Sequence, residues 1–382
     1  MPPRIAIIAA GVDASGLLVS PGPTAPAARL ARLTAALADA GHEVWVYPRL
    51  DRADLPPRFG LPAGAQVAPM ATTVVHGLAP SEVAERARAD GLWLANRWTD
   101  PAERPQVAHP LCWWSGALAA PAAMDSDIAL VQSFGDTGPV DPAGRASWRR
   151  ALGAAADQII ASSHAEIAGL VRDGLPRQMI TLVRDGVDTV SAVPPEPAAR
   201  PGGPRLLIAG EPSVAAGHAD LLAALPWAPT VECVALARPA DDWFSRAAAD
   251  AGLADRIVRP ENVDLAEWLG KADLVVCPPR TSDAESVAVA LEAMACGAAV
   301  VATAVGALAE TVVDGLTGAL TPPANGRRLG SAIRLLLADP VLRMAYGTAG
   351  LDRARHCYSW QRCAGQLSGV YARVSRRSTV TV

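Results

Sequence analysis

The stretch 272–318 reads ADLVVCPPRTSDAESVAVALEAMACGAAVVATAVGALAETVVDGLTG, and its reading decides the fold. Ala272 to Cys277 is an apolar run that ends at Pro278-Pro279, as a buried strand ends. A polar loop follows. From near Ser286 the pattern turns helical over Val287 to Cys296, and Gly297 marks the stop. Ala299 to Thr303 is the next strand. Strand, loop, helix, strand is a βαβ unit, which builds a parallel sheet. The backbone N–H groups of Ser286, Val287 and Ala288 at the helix start are candidates to cradle a diphosphate, helped by the helix dipole. Glu292 lies about two turns further on. Its carboxylate either accepts ribose hydroxyls or pairs on a helix face.

The same alternation runs outward in both directions. Arg4 to Ala10 reads as a strand, Gly11 to Pro26 as a loop, and Ala27 to Ala40 as a helix stopped by Gly41. Val44 to Tyr47 is the next strand. Strands follow at Ala129 to Phe134, Gln158 to Ser162 and Ile180 to Arg184, with helices at Trp148 to Ala156 and Ala165 to Asp173. Residues 191–204 then hold five prolines and an adjacent glycine pair, the composition of a linker. A second series begins with the strand Arg205 to Ala209, the helix His218 to Leu225 and the strand Val231 to Ala237. It continues with helices at Trp243 to Ala251 and Leu265 to Gly270. The expected class is α/β, with two Rossmann-like domains facing across a cleft. Ligands of such sheets sit beyond the carboxyl ends of the strands.

Composition narrows the function. The chain has 382 residues, enough for two domains. It carries 34 basic and 38 acidic residues, a net charge of −4, which argues against bulk nucleic-acid binding. No apolar run is long enough to span a membrane. The start of the chain reads as a buried strand rather than a signal peptide, so a cytoplasmic protein is expected. The six cysteines form no C-x-x-C pair and the six histidines no metal-binding spacing, so reduced buried thiols and no metal are expected. No G-x-G-x-x-G, Walker lysine motif or G-x-S-x-G elbow is present. Lys271 is the single lysine in the chain, so chemistry that needs a lysine has one candidate.

The run 291–318, LEAMACGAAVVATAVGALAETVVDGLTG, closely resembles the donor-site signature of family-four glycosyltransferases, the retaining, glycogen-synthase-like group on the GT-B fold. Gly41-His42-Glu43-Val44, Val131-Gln132-Ser133-Phe134, Gly186-Val187-Asp188 and Tyr358-Ser359-Trp360 agree in order and spacing, so the resemblance covers nearly the whole chain. It implies an acceptor domain over 1–190, the 191–204 linker and a nucleotide-sugar domain over 205–356. It also implies a last helix over 357–375 crossing back to the first domain. The donor would be a nucleotide-diphosphate sugar, a co-substrate rather than a cofactor. The acceptor would be a small molecule, a glycan or a lipid-linked acceptor, with peripheral membrane contact open. Glu292 would hold the ribose.

The resemblance also exposes departures. The glycine pair after the first strand is replaced in 22–26, GPTAP. The histidine after the Q-T-F-like segment is matched by Gly135. The arginine and lysine that grip the diphosphate fall on Glu211 and Ala216. The first glutamate of the paired carboxylates falls on Ala284, one residue from Glu285, which is expected to precede the helix and so to recover the catalytic position by a small loop adjustment. Arg238 and Arg280, after strands, and Arg184, before the linker, are the candidate replacement cations, with surface arginine as the alternative. His218 reads as a capping or surface residue. Trp113 and Trp114 match an acceptor-side segment and could stack on a sugar or pack in the core. These losses keep a second reading open: a degenerate member acting as a nucleotide-binding or scaffold partner.

Overall fold

The computed structural model describes residues 2–18, 26–72, 80–135, 142–189, 203–236, 243–261 and 264–378. The chain divides into two compact units, one of 1–21, 25–186 and 360–382 and the other of 22–24 and 187–359. Most of the 191–204 segment lies outside the described residues.

The first unit is built on β1 (Ile5–Asp13), β2 (Val44–Arg49), β3 (Phe59–Gly60), β4 (Gln66–Val67), β5 (Val107–Pro110), β6 (Ala129–Ser133), β7 (Gln158–Ala161) and β8 (Ile180–Leu182). Its sheet runs β3-β4-β2-β1-β5-β6-β7-β8, with every pairing parallel except β3 with β4. The helices are α1 (Pro26–Asp39), α2 (Pro80–Arg97), α3 (Trp113–Asp125), α4 (Pro142–Ala155) and α5 (His164–Arg172). β1 explains the layering. Its alternate residues Ile5 and Ile7 enter one core with α1, while Ala6 and Ile8 enter another with α3. A strand covered on both faces reads as the continuous apolar run seen in the sequence.

The second unit carries β9 (Arg205–Ala209), β10 (Glu232–Leu236), β11 (Ile257–Val258), β12 (Leu274–Cys277), β13 (Val300–Thr303) and β14 (Gly318–Thr321). The order is β11-β10-β9-β12-β13-β14 and all pairs are parallel. Counted from β9 this is 3-2-1-4-5-6, the Rossmann order, and it places a topological switch point between β9 and β12. The helices are α6 (His218–Ala224), α7 (Trp243–Asp250), α8 (Leu265–Leu269), α9 (Ala284–Ala295), α10 (Leu308–Thr311), α11 (Gly326–Ala338) and α12 (Pro340–Cys357). Leu207 faces the core under α9, and Leu206 and Ile208 the core under α6 and α11.

The chain then returns to the first unit as α13 (Trp360–Ser378). Trp360, Cys363, Ala364, Leu367, Val370, Tyr371 and Val374 form its buried stripe, at helical spacing. Two buried histidines fix its depth. His42 Nε2 lies 2.8 Å from Ser368 Oγ, and His109 Nδ1 lies 2.6 Å from Tyr371 OH. His109 Nε2 meets Ser133 Oγ at 2.9 Å, so both ring nitrogens are used.

All six cysteines are free; Cys112, Cys233, Cys277 and Cys363 are buried. Burial pushes the Cys233 and Cys277 thiols up to about 12. Among the described residues no helix is long and apolar enough to cross a membrane.

Candidate functional site

The switch point of the second sheet is framed by two loops: 210–217 after β9 and 278–283 after β12, leading into α9. The loops are locked together. The Arg280 amide donates to the Ala215 carbonyl at 2.7 Å. Gly217 has φ +78°, and a Cβ there would lie 1.8 Å from the Pro278 carbonyl oxygen, so no side chain fits. Thr303 Oγ1 donates to the Pro279 carbonyl at 2.6 Å, tying the second loop to β13.

Arg280 is the cation of this site among the described residues whose partner is plain. Its Nε and Nη2 donate to the two oxygens of Asp220 in α6, each at 2.8 Å. Asp220 is buried, and this carboxylate raises the Arg280 pKa above its ordinary value. The guanidinium is therefore fixed in place, yet its charge is balanced by Asp220. The sequence placed Arg280 at the loop mouth but could not show a partner 60 residues away. Arg238, another candidate cation, lies outside the described residues, as does most of the 22–26 loop.

The start of α9 differs from the expectation. The helix begins at Ala284, two residues before Ser286, because Asp283 caps it. Its carboxylate accepts the Ser286 amide at 2.9 Å, the Glu285 amide at 3.4 Å and the Ser286 hydroxyl. The Val287 amide donates to the Asp283 carbonyl at 3.3 Å. Of the three amides assigned above to a diphosphate, Val287 is spent on the first intrahelical bond and Ala288 lies further inside the helix, so an incoming phosphate that displaces the Asp283 side chain can reach the Ser286 amide, with Glu285 beside it. An Asp three residues before a Ser at a helix start was the available signal.

Glu285 also departs from the expectation. It lies inside α9, not ahead of it, so no loop adjustment moves it into the position matched by Ala284. Its exposed carboxyl instead stands over the backbone of Gly210, where a Cβ would be 3.3 Å from it. Glu211 follows Gly210 and is exposed, so two carboxylates stand at the end of β9 where the resemblance implies an arginine. Glu292 is half-buried on α9; burial, with the Glu292 charge as the lesser cause, raises the Cys296 thiol to about 11. Ala288 is buried behind the first turn.

His218 is neither a cap nor a surface residue. It is 1% exposed, edge-on to Phe244 at 5.3 Å, and neither ring nitrogen has a hydrogen-bond partner among the described residues. Desolvation lowers its pKa to about 4, so the ring is neutral near pH 7.

In the first unit, Trp113 and Trp114 are packed into the core beneath α3. Trp113 is 9% exposed and lies 5.5 Å from the Trp148 ring, so neither indole offers a face to a sugar. Their place is structural, because the first turn of α3 faces the sheet. Gly135 sits at the end of β6 with φ +41°, and a Cβ there would lie 2.6 Å from the Leu111 carbonyl oxygen. This backbone has no room for the histidine that the resemblance places there. Among the described residues no three His, Cys, Asp or Glu side chains gather as a metal site requires.

Comparison with known proteins agrees with this architecture. Residues 27–191 match a family model described as Glycosyltransferase Family 4, and residues 190–339 one described as Glycosyl transferases group 1. The chain is 30% identical over 393 residues to D-inositol 3-phosphate glycosyltransferase of Xylanimonas cellulosilytica, covering 90% of each chain. It is 30% identical to glycogen synthase of Mycobacterium tuberculosis, covering 75% of this chain and 73% of that one. Among solved structures, sucrose-phosphate synthase from Thermosynechococcus elongatus superposes with a TM-score of 0.83 at 22% identity, covering 98% of this chain and 99% of that one. Anabaena HepE in complex with UDP and glucose gives 0.73 at 17%, covering 97% and 99%. With two parallel sheets, a switch-point loop pair and relatives of this kind over almost its full length, the chain belongs to the family-four glycosyltransferases of the GT-B fold.

Proposed function

We propose that the protein transfers a glycosyl group from a nucleotide-diphosphate sugar to a hydroxyl-rich acceptor, with retention at the anomeric carbon. The observation that carries this reading is the switch point of the second sheet. There the 278–283 loop, whose Arg280 guanidinium Asp220 holds in place, leads into α9, which bears Glu292. In this reading the bond from the anomeric carbon to the diphosphate breaks while the acceptor oxygen bonds on the same face. The acceptor proton passes to the departing phosphate oxygen. The protein's task is to place the donor and stabilise the growing negative charge.

Glu292 accepts ribose hydroxyls, and Glu285, over Gly210, accepts hydroxyls of the donor sugar. The Glu285 and Ser286 amides receive the phosphate once the Asp283 side chain has turned away, with Arg280 as the described cation. The leaving-group charge is borne by these groups without a metal. HepE, solved with UDP and glucose, supports the donor class. Relatives named for D-inositol 3-phosphate and for glycogen support an acceptor rich in hydroxyls.

The test follows release of UDP, GDP or ADP from their glucose and mannose conjugates, with D-inositol 3-phosphate or a short glucan as acceptor. The anomeric proton of the product is then read by NMR. One donor should turn over and keep its configuration. An inverted product, or turnover with a lipid-phosphate sugar in place of every nucleotide sugar, contradicts the reading.

A further inference from the structure

We propose that the corner between α11 and α12 is a docking face for an anionic lipid surface. Three of the most exposed large apolar side chains among the described residues fall within 335–344: Leu335 at 61%, Val341 at 69% and Met344 at 66%. A single residue, Asp339, separates the two helices, so the three gather around one corner. Leu329, Gly330, Ile333 and Leu336 are buried, which turns Arg327, Arg328, Arg334 and Leu335 outward on α11. That helix contains no acidic residue. Asp339, the acid at the corner, is used to cap α12, where it accepts the Leu342 amide at 2.9 Å.

Trp227 flanks the same helix. It is 38% exposed, the Arg327 guanidinium lies 5.8 Å over its ring, and Gly330 leaves room for it against α11. Outward aliphatics, three arginines and a half-exposed indole are the side-chain types that bilayer interfaces favour. Aliphatic groups enter the acyl boundary, the indole sits at headgroup level, and arginines reach anionic headgroups with their stems lying on apolar surface. The whole chain carries a net −4, so this positive face is local and charge complementarity selects an anionic surface over a neutral one. Isolated exposed apolar residues need no explanation, but a cluster beside three arginines and a single capping aspartate does.

The test is sedimentation of the full chain with phosphatidylcholine vesicles, with and without about a third phosphatidylglycerol, at low and high salt. Binding should require the anionic lipid and weaken with salt. It should fall about tenfold or more in Arg327→Gln/Arg328→Gln/Arg334→Gln and in Leu335→Ser/Val341→Ser/Met344→Ser, with thermal melting unchanged because all six side chains are exposed. Equal binding to neutral vesicles, no binding at low salt, or wild-type binding by either variant overturns the proposal. So does a dimer in light scattering that the aliphatic variant abolishes, since the face would then belong to a second copy of the chain.

Discussion

Asp283 accepts the Ser286 amide at 2.9 Å, so a phosphate approaching the start of α9 meets a carboxylate first. Serine at this position would keep a neutral cap and remove that competitor. Asp283→Ser should therefore bind pyrophosphate several-fold more tightly than the wild type in a calorimetric titration, and unchanged or weaker binding would mean the cap belongs to the site. Arg280 makes the opposite prediction. Arg280→Ala should lower kcat/KM by about 10²–10³-fold if its guanidinium meets the leaving diphosphate. Arg280→Lys should recover little of it, because an ammonium cannot form the two-point contact with Asp220. Gly217 tests the frame itself. With a Cβ placed 1.8 Å from a carbonyl oxygen and φ at +78°, Gly217→Ala should destabilise the second unit by about 3 kcal/mol or more, read by denaturant unfolding.

α13 illustrates what pattern can and cannot reveal. Its presence was implied by the family resemblance, but the histidine–hydroxyl contacts that seat it join residues 262 and 326 positions apart, and no local signal reports them. Burial lowers the His109 pKa to about 3, against about 6.5 in an unfolded chain. Between those values the unfolded state binds the proton and the folded state does not, so stability is full above about pH 6.5 and declines as pH falls toward 3. His218, lowered to about 4, adds to the decline in the same direction. Unfolding free energies measured from pH 7 to 4 should fall, and the slope should lessen in His109→Gln. A flat profile would place these rings in contact with solvent.

Other helices hide for local reasons. α3 carries Pro121 inside a run of alanines, which reads as a breaker, and α2 mixes Glu, Arg and Asp through its apolar positions, which blurs the period. α9 was legible in type, and only its start was misplaced, because Asp283 was not read as its cap. β9, with five successive residues matching the expected strand, was legible in full because a strand covered on both faces has little freedom in composition.

Across the molecule, the order of the second sheet fixes where a ligand can sit before any side chain is considered, since the loops after β9 and β12 diverge at the switch point. The alternation of strands and helices made the Rossmann-like class readable, while the strand order and the short strands at 257–258 and 318–321 came only with the structure. The pairing of Arg280 with Asp220 and the turning-in of Trp113 and Trp114 were not readable, because each depends on which face of an element meets the rest of the unit. If transfer proceeds on protein groups alone, EDTA should leave the rate of nucleotide release unchanged, whereas restoration of a lost rate by a divalent cation would assign the leaving-group charge to a metal. The central claim is that this switch point holds a nucleoside diphosphate. Calorimetric titration with UDP, GDP and ADP and their sugar conjugates tests it most directly. One nucleotide should bind with micromolar affinity, weakened about tenfold or more in Glu292→Gln, whereas absence of binding by all of them would rule out a diphosphate site at the switch point.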